Sequence, residues 1–188
     1  MNLNRAVFLD RDGVINVDLD YAHRPEEIRF VDGIFDLGRF LVQKGFLLFI
    51  ITNQSGIARG YYTEREFWKL MRWMCSIFET EKAPIQKVFF CPYHPKKGVG
   101  KYKRDSECRK PNPGMILKAE KRFHLDLSRS ILIGDQESDV LAGERAGVGL
   151  SCLLYNQNKT YSRTTPEDRF ESLDEIHSYL NKKLEVDL

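Results

Sequence analysis

Ala6-Val7-Phe8-Leu9-Asp10-Arg11-Asp12-Gly13 decides the fold of this chain. The four apolar residues read as a strand buried on both faces, and Gly13 lets the backbone turn sharply after it. The two carboxylates therefore stand at the carboxyl end of a core strand. An all-oxygen pair of this kind suits a hard divalent cation such as Mg²⁺. Burying two like charges together is costly unless a cation or a shared proton relieves them. A carboxylate can also act as a covalent nucleophile. Asp-x-Asp-Gly is, however, also ordinary turn chemistry, so the motif needs support from the rest of the chain.

That support is a regular alternation of strand and helix patterns. Further strands are expected at 46–51, 85–90, 130–133 and 149–155, and helices at 34–44, 64–79, 112–123 and 137–146. Gly45 and Gly147 stand where helix C-caps are expected. Thr63-Glu64-Arg65-Glu66 and Ser172-Leu173-Asp174-Glu175 are capping boxes, the second opening a terminal helix over about 172–183. Asn112 and Pro113 read as N-cap and first helical residue. The charged tail beyond Leu180 is expected to fray. Strands separated by helices imply right-handed crossovers and a mainly parallel, Rossmann-like α/β sheet in a three-layer αβα sandwich. Ligands of such sheets bind beyond the strand carboxyl ends, near the switch in strand order.

The 188 residues suit a single domain over 1–188, with its core at about 5–156 and a basic loop excursion at 91–110. No insert is large enough for a cap domain. Lys plus Arg number 29 against 27 Asp plus Glu, which argues against a nucleic-acid binder driven by bulk charge. No secretory leader or bilayer-length apolar run is visible, so a cytoplasmic protein without a membrane partner is expected. It is expected to be a monomer. Cys75, Cys91, Cys108 and Cys152 are then free thiols rather than a disulfide framework, with Cys75 and Cys152 as core residues.

Three further groups stand at strand ends. Thr52-Asn53-Gln54-Ser55-Gly56 follows the second strand and offers amide and hydroxyl donors suited to phosphate, although an ordinary polar loop has the same composition. Gly134-Asp135-Gln136-Glu137-Ser138-Asp139 follows the 130–133 strand. Asp135 is expected to face the same crevice as Asp10 and Asp12, whereas Asp139 could simply complement a helix dipole. Lys110 precedes a helix N-terminus, where an ammonium can help to neutralise an anion. Carboxylates, a cation, neutral donors and one ammonium together suit phosphoryl transfer.

These four groups resemble the motifs of the haloacid dehalogenase-type (HAD) phosphohydrolase superfamily, in the same order along the chain. The resemblance implies an Mg²⁺-dependent phosphatase. Asp10 would be the nucleophile and Asp12 the acid/base. Asn53 and Lys110 would stabilise the phosphoryl oxygens. The metal would be held by Asp10, Asp12 (through its carbonyl) and Asp135, with Gln136 beside it. Asp12 must be protonated when the alcohol leaves, so acidic neighbours are expected around it.

A narrower resemblance is to the phosphatases that remove the 7-phosphate of a heptose 1,7-bisphosphate. It rests on Asp10-Arg11-Asp12-Gly13-Val14-Ile15-Asn16, on Thr52-Asn53-Gln54-Ser55-Gly56-Ile57-Ala58-Arg59-Gly60, on Cys91-Pro92 and on Cys108-Arg109-Lys110-Pro111-Asn112-Pro113-Gly114-Met115. It implies a small phosphorylated sugar as substrate, contacted by Asp18, Tyr21, Thr52, Gln54, Ser55, Arg59 and Arg109. Histidinol-phosphate phosphatases share the first motif and Cys-Arg-Lys-Pro. Two guanidinium groups suit a second phosphate better than an amino alcohol, which favours the bisphosphate. A Mg²⁺-binding regulatory domain without turnover is the remote alternative, and a leaving-group acid at Asp12 speaks against it. The narrower family also carries a structural zinc, but two of its four ligand positions are Tyr93 and Ser106 here. A residual set of Cys91, His94 and Cys108 has no evident fourth member, so zinc is disfavoured.

Overall fold

The computed structural model describes residues 3–157, 159–162 and 169–186. Six parallel strands form one sheet: β1 (Arg5–Leu9), β2 (Phe46–Asn53), β3 (Ile85–Cys91), β4 (Ile131–Gly134), β5 (Leu150–Leu154) and β6 (Arg169–Phe170). Their spatial order is β3-β2-β1-β4-β5-β6. The chain steps outward from β1 through β2 to β3, then returns to the other side of β1 with β4. The switch in strand order therefore falls between β1 and β4, which pair in register as Val7–Ile131, Phe8–Leu132 and Leu9–Ile133. A crevice opens there beyond the strand ends.

Side-chain alternation divides the core into two halves. Val7, Leu9, Leu48, Ile50, Ile131 and Ile133 pack on one face against α1 (Ile34–Gln43), α3 (Glu64–Thr80) and α6 (Leu173–Val186). Ala6, Phe8, Phe49, Ile51 and Leu132 face α4 (Gly114–Phe123) and α5 (Glu137–Ala146). This is the expected three-layer sandwich, since a strand covered on both faces must be apolar at consecutive positions. Each fully buried Leu, Ile or Phe contributes about 1.5–3 kcal/mol of transfer free energy before entropy is counted. In α3, Phe67, Leu70, Met71, Met74 and Phe78 form the buried stripe. Its N-terminus is the predicted capping box, with Thr63 Oγ1 accepting from Glu66 N–H at 3.2 Å and Glu66 Oε2 accepting from Thr63 N–H at 2.7 Å. No helix among the described residues is long and apolar enough to cross a membrane.

Several local expectations are corrected. Asn112 does not cap α4. Its side-chain amide donates to Ser106 O, and the helix starts one residue later than expected, behind Pro113. Gly114 N–H donates to Glu107 O at 2.9 Å, and a Cβ on Gly114 would lie 2.3 Å from that oxygen, so the glycine sets the start. Ser172 accepts from Glu175 N–H as predicted, but Glu175 reaches back to Glu171 N–H rather than to Ser172. Beyond Leu180, α6 continues to Val186. Two elements escape the sequence pattern, the single-turn helix α2 (Ser55–Arg59) and the two-residue strand β6.

Candidate active site

Asp10 leaves β1 with its N–H donating to Ile133 O of β4 at 3.0 Å, so the backbone ladder itself carries the carboxylate to the switch point. Asp135 arrives from the end of β4 on the same side. Gly13 makes the approach possible. It adopts φ +95°, and a Cβ there would lie 1.8 Å from Asp135 Oδ2. Asp139, one turn into α5, closes the group. Asp10, Asp135 and Asp139 each place a carboxylate oxygen within 4.8 Å of the others, the one such gathering of His, Cys, Asp or Glu ligands among the described residues.

Lys110 is the ammonium of this cluster, and it is 4% exposed. Its Nζ lies 2.7 Å from Asp10 Oδ1 and 2.7 Å from Asp139 Oδ1, and donates to Ile51 O at 3.1 Å. Burial alone would lower its proton affinity, but Asp10 and Asp139 outweigh burial and the net shift is upward. Burial pushes the Asp10 carboxyl well above the usual range, and Asp139 and Asp135 push the same way against Lys110. Burial likewise raises Asp135 to about 6, opposed by Lys159. Lys159 pairs with Asp135 Oδ2 and lies 3.5 Å from Asp18 Oδ2.

The acidic neighbours expected around Asp12 surround Asp10 instead. Asp12 is gripped by donors. Arg11, 1% exposed, donates from Nε to Oδ1 at 3.0 Å and from Nη2 to Oδ1 and Oδ2 at 2.6 and 2.7 Å. Asn16 Nδ2 adds a bond to Oδ1 at 3.1 Å, and Gln54 Nε2 a longer one to Oδ2 at 3.3 Å. Gln54 is itself held, donating to Thr52 Oγ1 at 2.6 Å and accepting from Tyr62 OH. Burial raises the Tyr62 phenol to about 12, so it stays a donor.

Asn53 differs from its expected part. Its amide is tied at both ends to the backbone of Lys110, donating to Lys110 O at 3.1 Å and accepting from Lys110 N–H at 3.1 Å. It fixes the lysine's segment against the β2 loop. A cavity of about 250 Å³ gathers Asp10, Asp12, Lys110 and Asn53 with the predicted contacts Asp18, Tyr21, Thr52, Gln54, Ser55 and Arg109, and with Gln136. Arg59 does not line it. Its guanidinium stands over the rings of Tyr21 and Tyr61, 5.5 and 6.0 Å from their centroids. A larger depression of about 910 Å³, running past Val17, Phe30 and Leu173, gathers no comparable set of groups. The residual zinc set does not assemble. Cys91 and Cys108 touch, but His94 Nδ1 accepts the backbone N–H groups of Lys96 and Lys97. Arg11, Tyr62 and Lys159 were not singled out from sequence. Arg11 stands inside the first motif, whereas Lys159 lies in no motif at all.

Asp135 Oδ1 is buried with no hydrogen-bond partner, which is the state expected of an oxygen placed for a cation. The acidic trio and this orphaned oxygen fit a divalent ion. Asp139 joins Asp10 and Asp135 as a third carboxylate, while the Asp12 side chain, from which only a backbone carbonyl was expected, turns to Arg11.

Comparison with known proteins agrees with this geometry. Residues 107–179 match the HAD-hydrolase-like family model. The D-glycero-alpha-D-manno-heptose-1,7-bisphosphate 7-phosphatase of Burkholderia mallei is 53% identical over 155 residues, covering 82% of each chain. The D-glycero-beta-D-manno-heptose-1,7-bisphosphate 7-phosphatase of Vibrio cholerae is 44% identical, covering 79% of this chain and 80% of that one. The crystal structure of D,D-heptose 1,7-bisphosphate phosphatase from B. bronchiseptica, complexed with magnesium and phosphate, superposes with a TM-score of 0.81 at 29% identity, covering 95% of this chain and 99% of that one. The chain belongs to the HAD-like hydrolases, in the family of D-glycero-D-manno-heptose-1,7-bisphosphate 7-phosphatases.

Proposed function

We propose that this chain, acting as one domain over its 188 residues, removes the 7-phosphate of a D-glycero-D-manno-heptose 1,7-bisphosphate. The observation that carries the reading is the convergence of Asp10, Asp135, Asp139 and Lys110 at the strand switch, with one carboxylate oxygen left for a cation. Mg²⁺ held by Asp10 and Asp135, with Gln136 beside it, would supply Lewis-acid charge for the phosphoryl oxygens. Asp10 attacks phosphorus and becomes an aspartyl-phosphate. Lys110 and Asn53 hold this wall of the site, the lysine offsetting charge on the transferred group.

Asp12 gives its proton to the departing sugar oxygen, then takes one from the water that cleaves the intermediate. Oδ2 suits this task. It accepts two bonds against three at Oδ1, so a proton there costs the Arg11 grip least. Asp18, Tyr21, Thr52, Gln54, Ser55 and Arg109 would meet the sugar and its distal phosphate, with Arg59 reached from the rim. Cysteines outside any disulfide suit a reducing cytoplasm, and we read the enzyme as a monomer.

Phosphate release measured across the α and β heptose bisphosphates and histidinol phosphate, with Mg²⁺ or with chelator, tests the reading. The expected result is the highest kcat/KM on a heptose bisphosphate and no turnover in chelator. A higher kcat/KM on histidinol phosphate overturns the substrate.

A further inference from the structure

We propose that Cys91 and Cys108 are a redox modification site, a dithiol that a hydroperoxide converts reversibly to a disulfide behind the phosphate-binding loops. The proposal does not depend on which phosphate ester the enzyme takes. The two sulfurs are 2.7 Å apart, against about 2.05 Å for a formed bond. Both are free thiols.

The pair is asymmetric. Cys91 ends β3 and is fully buried, whereas Cys108 lies in the loop before Arg109 and Lys110 and is partly exposed. The shared hydrogen bond lowers the Cys108 thiol to about 6, and Ser106 and Arg104 assist. The same bond, with burial, pushes the Cys91 thiol up. The accessible sulfur is thus placed to meet an oxidant first, with the buried one in contact behind it. This is the order that a peroxide-reactive and a resolving cysteine require. Cys75, by contrast, is raised by burial and has no thiol neighbour among the described cysteines.

The chemistry balances. The Cys108 thiolate attacks the hydroperoxide, the O–O bond breaks, and a sulfenic acid forms with an alkoxide (hydroxide, for hydrogen peroxide) that takes up from solvent the proton the thiol had released. Cys91 sulfur then attacks Cys108 sulfur. Its proton leaves with the displaced hydroxide as water, and the two thiols have given up two electrons. The bond would tie two parts of the active site. Cys91 pairs in register with Asn53 and accepts the Gln54 N–H at 2.8 Å. Cys108 leads directly into Arg109 and Lys110.

Hydrogen peroxide added to the whole protein, followed by peptide mass mapping and iodoacetamide labelling, tests this. The expected product has lost two hydrogens and carries a Cys91–Cys108 cross-link, with Cys75 and Cys152 still labelled. Dithiothreitol restores the starting mass, and Cys108→Ser gives no cross-link. Before oxidation, Cys108 should alkylate at least ~10-fold faster than Cys75 at neutral pH. Oxidation of Cys108 to a sulfinic acid with no cross-link, or modification of Cys75 ahead of Cys108, overturns the proposal. Mapping on the unmutated protein decides this even where a variant fails to fold.

Discussion

Asp10 and Asp12 are two residues apart on one strand end, yet they have opposite neighbours. Asp10 faces two other carboxylates and a single ammonium in a buried crevice. Asp12 faces a guanidinium and two side-chain amides. The spacing alone cannot say which is the nucleophile. The surroundings separate them, because an acid crowded by acids needs a cation to stay ionised, while one gripped by donors is held in a fixed orientation beside the cavity. Two carboxylates become two tools by environment.

Asp10→Asn is the harshest test of that division. It should lower kcat on the order of 10⁴-fold or more while circular dichroism stays unchanged, since the amide keeps a contact with Lys110 and removes one buried charge. Asp12→Asn should cost about 10²–10⁴-fold on an alkyl phosphate, and far less in the first half-reaction of an aryl phosphate whose leaving group needs no proton. Equal losses on both esters would erase the distinction between the two carboxylates. Lys110→Met leaves Asp10 and Asp139 without their shared counter-ion. Turnover should fall about 10²–10³-fold, and urea unfolding should report roughly 3–5 kcal/mol less stability. Arg11→Lys keeps the charge but loses the forked grip on Asp12, so kcat should fall on the order of tenfold with KM little changed.

The gentlest test is pH. Burial holds Asp135 at about 6 in the folded protein, against 3.8 for an ordinary aspartate. The folded state then binds the proton more tightly than the unfolded state does. In chelator, the Asp135 contribution to stability should therefore fall as pH rises from 3.8 through about 6, with the raised Asp10 carboxyl acting in the same direction. Added Mg²⁺ should abolish that fall, because the cation favours the ionised form. Urea titrations at several pH values check both. A metal-free stability that rises across the same window would contradict the environment assigned to Asp135.

The strand ends were legible in sequence because the apolar runs and the turns after them are local signals. β1, β2 and β4 thus carried Asp10, the Thr52–Gly56 loop and Asp135 to one side before any coordinates. The trio's third member was legible only as part of the fourth motif, not from its local surroundings. Asp139 has the sequence position of a dipole-complementing acid and does accept the N–H groups of Asp135 and Gln136 at 3.2 and 3.0 Å, but it also shares Lys110 with Asp10. Nothing local announces that second partner, 29 residues back in the chain. Arg11 was hidden for another reason, since an arginine between two aspartates reads as solvated until burial is known. The start of α4 failed because capping rules price only local bonds, whereas Asn112 is drawn off by Ser106 O.

Trapping the intermediate tests the central claim most directly. Asp12→Asn, mixed with Mg²⁺ and an aryl phosphate and quenched in acid within milliseconds, should carry one phosphoryl group, mapped by mass spectrometry to the peptide containing Asp10 and missing when chelator replaces Mg²⁺. Aryl alcohol release with no phosphoryl group on the protein, or with the group on any residue other than Asp10, contradicts the account.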